Sequence, residues 1–165
     1  MWKLRQADLA QFRGGGGERF VHFVDRLIRA AAARGRLPQS EILAQLRVNI
    51  KDGGVDTHVK QAIPHDPQGW FATPTCWQYK SVDAADIDDD VKKRTKNALQ
   101  EEINKPHVVT LLKSGCAYRL CILGDLTPQK ALDWEAQLTR ESQAISPNAP
   151  PPRVIHGGNL LNWAE

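Results

Sequence analysis

The 165-residue chain lacks any long apolar run. Its longest, Ala30 to Ala33 and Val108 to Leu112 broken by Thr110, fall far short of the ~20 residues needed to span a bilayer. No membrane span is therefore expected. The opening Met1-Trp2-Lys3-Leu4-Arg5 has neither the apolar stretch nor the small-residue cleavage site of a secretory signal. Cysteine is scarce and odd in number (Cys76, Cys116 and Cys121), which argues against a disulfide framework. Together these absences lead us to expect a cytoplasmic protein. There is no internal repeat, and the glycine run Gly14 to Gly17 is not followed by the Lys-Ser or Lys-Thr of a phosphate-binding NTPase loop.

What is present is an ordinary globular composition, 41% hydrophobic and 25% charged, which excludes fibrous and wholly disordered classes. A chain of this length buries roughly 70% of its unfolded surface, enough for a core without disulfides or a structural metal. The net charge of +3 conceals a pattern. Residues 1–50 carry nine Lys and Arg against four Asp and Glu, residues 51–90 three against eight, and residues 91–165 ten against seven. An acidic centre within basic flanks suits a site that holds a divalent cation beside a polyanion, although solvated charge also falls into such blocks.

Residues 17–33 place Phe20, Val21, Val24, Leu27, Ile28 and Ala31 at helical spacing, with Gly14 to Gly17 breaking the helix from whatever precedes it. We therefore expect an N-terminal arm over residues 1–16 and one domain over 17–165. Gly35 and Pro38 end this helix, and the spacing beyond them predicts a second, weaker helix near Gln39 to Leu46. Three strands are expected next: around Val48 and Ile50, from Val55 to Gln61, and from Thr75 to Tyr79, with Asp52-Gly53-Gly54 turning between the first two. The acidic cluster Asp86, Asp88, Asp89 and Asp90 leads into an expected basic helix, Val91 to Ile103. A short helix from Pro106 to Lys113, a strand from Ala117 to Leu123 and a helix from Thr127-Pro128 to Ile145 complete most of the chain; Ala131, Trp134 and Leu138 form the last helix's buried stripe. A proline-rich loop, Ser146 to Pro152, precedes a strand at Arg153 to His156, and Leu160 to Trp163 begins a further element. The order predicts an α/β fold, a central mixed sheet flanked by helices.

Chemistry concentrates in four places. Glu18 opens the first long helix, Asp56 ends Asp52-Gly53-Gly54-Val55-Asp56, and Gln78 and Lys80 lie in Trp77-Gln78-Tyr79-Lys80. Residues two apart on a strand share a face, so Gln78 and Lys80 emerge side by side, and a neighbouring strand can bring Asp56 to them. A hard cation takes oxygen ligands, and a lysine counters charge developing on a phosphate. Taken singly, each group also has an ordinary role: a turn, a helix-dipole acid, a pair of residues on an edge strand.

Helix with Glu18, Gly-Gly-Val-Asp turn, Gln-x-Lys strand, helix and strand, in that order, resemble the PD-(D/E)xK nuclease superfamily over roughly residues 17–123. Asp-Gly-Gly-Val-Asp with Trp-Gln-Tyr-Lys is most similar to its Mrr-like restriction endonuclease branch, in which glutamine replaces the second carboxylate. The resemblance implies a restriction-endonuclease-like core and an Mg2+- or Mn2+-dependent endonuclease acting on double-stranded DNA. In it Asp56 binds the metal, Lys80 is the catalytic lysine, Gln78 takes the place of the usual carboxylate, Tyr79 offers its backbone carbonyl to the metal, and Glu18 assists. Lys92, Lys93, Arg94 and Lys96 are candidates for DNA-backbone contacts. The chain is also similar to the N-terminal effector domain of bacterial antiviral STAND-type NTPases. That similarity and the ending at Asn162-Trp163-Ala164-Glu165 lead us to expect a piece of a longer protein that forms homo-oligomers through its other domains. A nuclease-like fold that binds nucleic acid or a partner without cutting is the alternative.

Other groups read as structural. His58, His65 and Asp66 match no zinc spacing. Cys116 and Cys121 read as small buried residues, and Asp88 to Asp90 as a solvated helix start. Trp70, Trp77, Trp134 and Trp163 read as core anchors, with Trp70-Phe71 placed on a loop that could touch DNA.

Overall fold

A computed structural model describes residues 5–13, 17–46, 53–81 and 98–165 of the chain. It begins with a one-turn helix, α1 (Gln6–Leu9), a 3-10 turn (Ala10–Arg13) and the long α2 (Glu18–Arg34). A second 3-10 turn (Gln39–Glu41) leads into β1 (Ile42–Ala44), followed by β2 (Thr57–Val59) and β3 (Thr75–Lys80). The remainder runs α3 (Ala98–Ile103), α4 (Pro106–Lys113), β4 (Ala117–Ile122), α5 (Pro128–Ile145), β5 (Arg153–Ile155) and α6 (Gly157–Ala164).

The five strands lie in the order β1-β2-β3-β4-β5. The first two pairings are antiparallel and the last two parallel. This is the expected α/β architecture, a mixed sheet flanked by helices, and it is consistent with a restriction-endonuclease-like core. Helices cover both faces, so every residue of β4 is buried, as strands of a two-sided sheet must be. Side-chain alternation divides the core. Trp77, Tyr79, Cys121 and Ile155 pack with Phe20, Val21, Val24 and Ile28 of α2 and Leu160 and Trp163 of α6. Cys76, Tyr118, Leu120, Ile122 and Val154 pack on the opposite face, with Leu99 and Ile103 of α3, Val108 and Leu112 of α4, and Trp134 and Leu138 of α5.

Local chemistry explains the helix ends. Thr127 caps α5 by accepting from Lys130 N at 3.3 Å, with Pro128 in the first turn, where its missing N–H costs no bond. Within α2, buried Asp25 is held by Arg29, whose Nε lies 2.9 and 3.2 Å from the two carboxylate oxygens.

Two expectations are corrected. Gln39 to Leu46 is not a helix: Ile42 pairs with Val59 and Ala44 with Thr57, and Gln45 N donates to Asp56 O at 2.7 Å. Pairing with β2 overrides a short stretch of helical spacing. The described part of the arm, residues 1–16, packs on the domain: Leu9 is buried in the α2-side core and Phe12 stacks on Phe23 with centroids 4.6 Å apart. Trp70-Phe71 is not an open DNA-facing pair: Phe71 is fully buried, stacked on Trp77, and Trp70 meets Trp163 edge-on at 5.1 Å. The strand expected around Val48 and Ile50 lies outside the described residues, as do Asp86 to Asp90. Among the described residues no helix is long and apolar enough to cross a membrane.

Candidate active site

β3 is the middle strand of the sheet, not an edge, and this position decides what its polar residues can do. Strand alternation turns Trp77 and Tyr79 toward α2 and leaves Gln78 and Lys80 on the face covered by α3 and α4. Gln78 is 2% exposed, so both ends of its carboxamide need partners. They have them. Tyr118 Oη, one strand away on β4, donates to Gln78 Oε1, and Gln78 Nε2 donates to Glu102 Oε2 on α3. A carboxylate only accepts, and burial pushes the Tyr118 phenol well above its ordinary pKa, so it stays a donor. The amide orientation follows from those two facts.

Lys80 Nζ donates to the other oxygen of the same carboxylate, Glu102 Oε1, at 3.0 Å. Lys105, one turn further on, brings its Nζ within 2.5 Å of Oε2. Burial alone would raise the pKa of Glu102, but Lys80 and Lys105 outweigh it and hold the carboxyl below its usual range. Glu102 is thus the hub of the cluster. Sequence reasoning missed it: the helix expected there was read for its basic residues, and the available signal was Glu102 at the end of the helix that follows the Gln-x-Lys strand, with Lys105 three residues on.

Asp56 reaches the same point from the other side. Thr57 pairs with Trp77, so β2 begins where β3 still has three residues to run. The leftover N–H of Tyr79 donates to Asp56 Oδ2 at 2.7 Å, while Asp56 N donates to Trp77 O at 2.8 Å. Asp56 therefore engages the backbone of the residue between Gln78 and Lys80, and the contact seen at Tyr79 is through its N–H. The turn before it needs its glycines: Gly53 and Gly54 have φ of +68° and +89°, and a Cβ at Gly54 would overlap the side chain of Lys105. The Gly-Gly turn packs directly on the α3–α4 connection. Beside it opens a cleft of about 500 Å³ lined by Arg29, Gln45, Asp56, His58 and His107 among others.

Of the expected site residues, the structure brings together Asp56, Gln78, Tyr79 and Lys80. Glu18 is placed differently. Its carboxylate is exposed and lies 3.7 Å from His22 Nε2, in an open pocket of about 390 Å³ with Phe12, Arg19, Phe23 and Arg26. The start of α2 is nonetheless close to β3, for a Cβ on Gly17 would lie 2.5 Å from Ser81 Oγ, one residue past Lys80. Lys92, Lys93, Arg94 and Lys96 lie outside the described residues.

The remaining candidates are structural. His58 Nε2 meets Cys116 Sγ at 3.5 Å, and burial, with His107 and Lys60 nearby, lowers the His58 pKa. Asp66 staples its loop by accepting from Gln68 N and Phe71 N at 3.2 and 2.8 Å. All three cysteines are buried free thiols, and burial pushes Cys76 up to about 12.

The carboxylates that could hold a hard divalent cation are Asp56 and Glu102, the latter already paired with Lys80 and Lys105. Magnesium is ordinarily held by one or two carboxylates together with waters and phosphate oxygens, and Asp56 and Glu102 are two carboxylates engaging neighbouring residues of one strand. Among the described residues no three His, Cys, Asp or Glu side chains converge to hold a metal, so protein ligation would rest on that minimum. No protein-family model, no curated protein and no solved structure matches the chain.

Proposed function

We propose that this chain is a metal-dependent endonuclease domain that hydrolyses phosphodiester bonds in double-stranded DNA. One observation carries the reading: Gln78 and Lys80 share a face of the central strand, and Asp56 is tied to the backbone of Tyr79 between them. The order helix, three antiparallel strands, helix and parallel strand around that constellation supports it.

In this reading Asp56, with Mg2+ or Mn2+, marks where the scissile phosphate binds. The cation's contribution is Lewis-acid polarisation of the phosphoryl oxygen and a more acidic water. Lys80 carries a fixed positive charge into a half-buried site, where it orients the attacking water and stabilises the extra negative charge on the pentacoordinate phosphorus. The water oxygen bonds to phosphorus as the bridging P–O bond breaks in line. The water gives a proton to solvent and the departing sugar oxygen takes one up. Gln78 braces the face on which this happens, and Glu18 stands apart, beside His22.

The basic residues Lys92, Lys93, Arg94 and Lys96 are proposed backbone contacts, which position a duplex without reading its sequence. From the resemblance drawn from the sequence we further propose a cytoplasmic role in anti-phage defence, switched on by oligomerisation. The test is plasmid cleavage with Mg2+ or Mn2+: the wild type cuts, and Lys80→Ala loses at least about a hundredfold, the scale of removing one electrostatic stabiliser. A wild type that binds DNA in a salt-dependent manner yet never cuts would instead identify a silent binding module. The closed hydrogen bonding of the Gln78 amide is the feature that favours that second reading.

A further inference from the structure

Resting on the hydrolytic reading, we infer that Glu102 supplies the second carboxylate of the site and that Gln78 is the strut that aims it. Tyr118 can satisfy only the oxygen of Gln78 and Glu102 only its nitrogen, so the carboxamide has one orientation, with Oε1 turned toward β4 and Nε2 toward α3. In a side chain 2% exposed, that oxygen is committed to Tyr118. The position that carries a carboxylate in a (D/E)-x-Lys strand here carries a donor, and that donor holds a carboxylate from another element.

Glu102 has the reach and the charge for the task. Its two oxygens bridge the side chains of Gln78 and Lys80, the residues either side of Tyr79, whose N–H binds Asp56. Asp56 and Glu102 therefore address one strand segment from two elements. The cluster holds two carboxylates and two ammonium groups, so it is near neutral before a divalent cation and a phosphodiester arrive together. Lys105 is the movable member. It lies in the connection between α3 and α4, at the N-cap of α4, its side chain is 37% exposed, and an ion pair of that kind yields readily to solvent. When Lys105 swings out, Glu102 Oε2 opens on its outer side, while Gln78 and Lys80 keep the carboxylate in place.

The experiment titrates Mn2+ into the 165-residue chain, following bound Mn2+ by the loss of the free-ion EPR signal, with plasmid cleavage measured in parallel. Glu102→Gln is expected to weaken Mn2+ binding by about tenfold or more and to lower cleavage at limiting Mn2+. The exchange Gln78→Glu with Glu102→Gln keeps the charge and reverses the hydrogen bond, so it is expected to regain most of the lost Mn2+ affinity. Where Glu102→Gln melts too low to measure, Glu102→Asp keeps the charge but retracts the oxygens, and weaker Mn2+ binding supports the inference equally. If Glu102→Gln binds Mn2+ as the wild type does, or the wild type takes up none, the inference is overturned. Cleavage is scored separately. A wild type that cuts while Glu102→Gln binds Mn2+ normally keeps the hydrolytic reading and sinks only the role of Glu102. A wild type that loses Mn2+ on Glu102→Gln but never cuts keeps the carboxylate assignment and sinks the hydrolysis.

Discussion

Asp56 performs two functions that ordinary alanine substitution would confuse. Its carboxylate is the acceptor for a backbone N–H that β2 leaves unpaired, and it is also the proposed cation-binding group. Removing the acceptor from a charge-assisted bond costs about 1.5–3 kcal/mol, so Asp56→Ala is expected to melt several degrees below the wild type. Asp56→Asn keeps an oxygen for Tyr79 N–H while deleting the charge. We expect it to melt within about 2 °C of the wild type and to cut no plasmid. Equal melting losses in the two variants would show that the acceptor role is negligible. Glu102 makes a different, pH-dependent prediction. Its pKa in the folded state is depressed by Lys80 and Lys105 against the opposing effect of burial, so its contribution is complete above the unfolded value of about 4.3 and is lost as pH falls through the folded value. Melting temperature should therefore fall more steeply below about pH 4.5 in the wild type than in Glu102→Gln. Parallel curves would show that the lysines do not stabilise this carboxylate. That Asp56, Gln78 and Lys80 lie together was legible in the sequence because strand spacing and a glycine turn are local. Glu102 was not, because nothing local says that α3 returns across the face of β3.

Elements hold these residues at the right separation, and the Gly53-Gly54 turn is the clearest instance. Gly54 combines a left-handed backbone with contact against Lys105, and Gly53 a similar backbone with His107 Cβ, which a Cβ of its own would approach to 2.8 Å. Gly54→Ala must meet a backbone strain of about 1–2 kcal/mol and also displace the Lys105 stem that neighbours Glu102. Gly115→Ala provides the comparison, because Gly115 has φ of +95° but open space around it and meets only the backbone term. Gly54→Ala is expected to melt lower than Gly115→Ala and to lose cleavage beyond what its unfolded fraction explains; equal melting and equal activity would show that the turn merely connects. The same scale shows where sequence pattern stops. α2, α4, β4 and α5 fall within a residue or two of their expected spans, because each has a full amphipathic stripe, a proline start or a glycine stop. β1 did not, since three residues carry too little pattern and its conformation comes from Val59 and Thr57 across the sheet.

At the scale of the whole molecule, the sheet separates support from chemistry. The α2 side is aromatic: Phe71, Trp77 and Trp163 pack ring against ring, and buried Arg119 ties the loops at either side by donating to Trp70 O and Pro151 O at 2.9 and 3.0 Å. The opposite side carries Gln78, Lys80 and Glu102 at one end of an otherwise apolar face. Among the described residues one chain presents one such cluster, while a duplex presents two strands of opposite polarity. On the proposed nuclease reading a single site engages one strand at a time, so in dilute solution nicked circles should accumulate before linear plasmid appears. Bringing two copies together, for example by fusing the chain to a dimerising or tetramerising helix, should convert supercoiled plasmid to linear form with little nicked intermediate and at lower protein concentration, because the second cut becomes effectively intramolecular. Linear product formed directly by the dilute, unfused chain, at a rate proportional to protein concentration, would show that one copy cuts both strands. The proposed switch by oligomerisation would then have no physical basis in this domain.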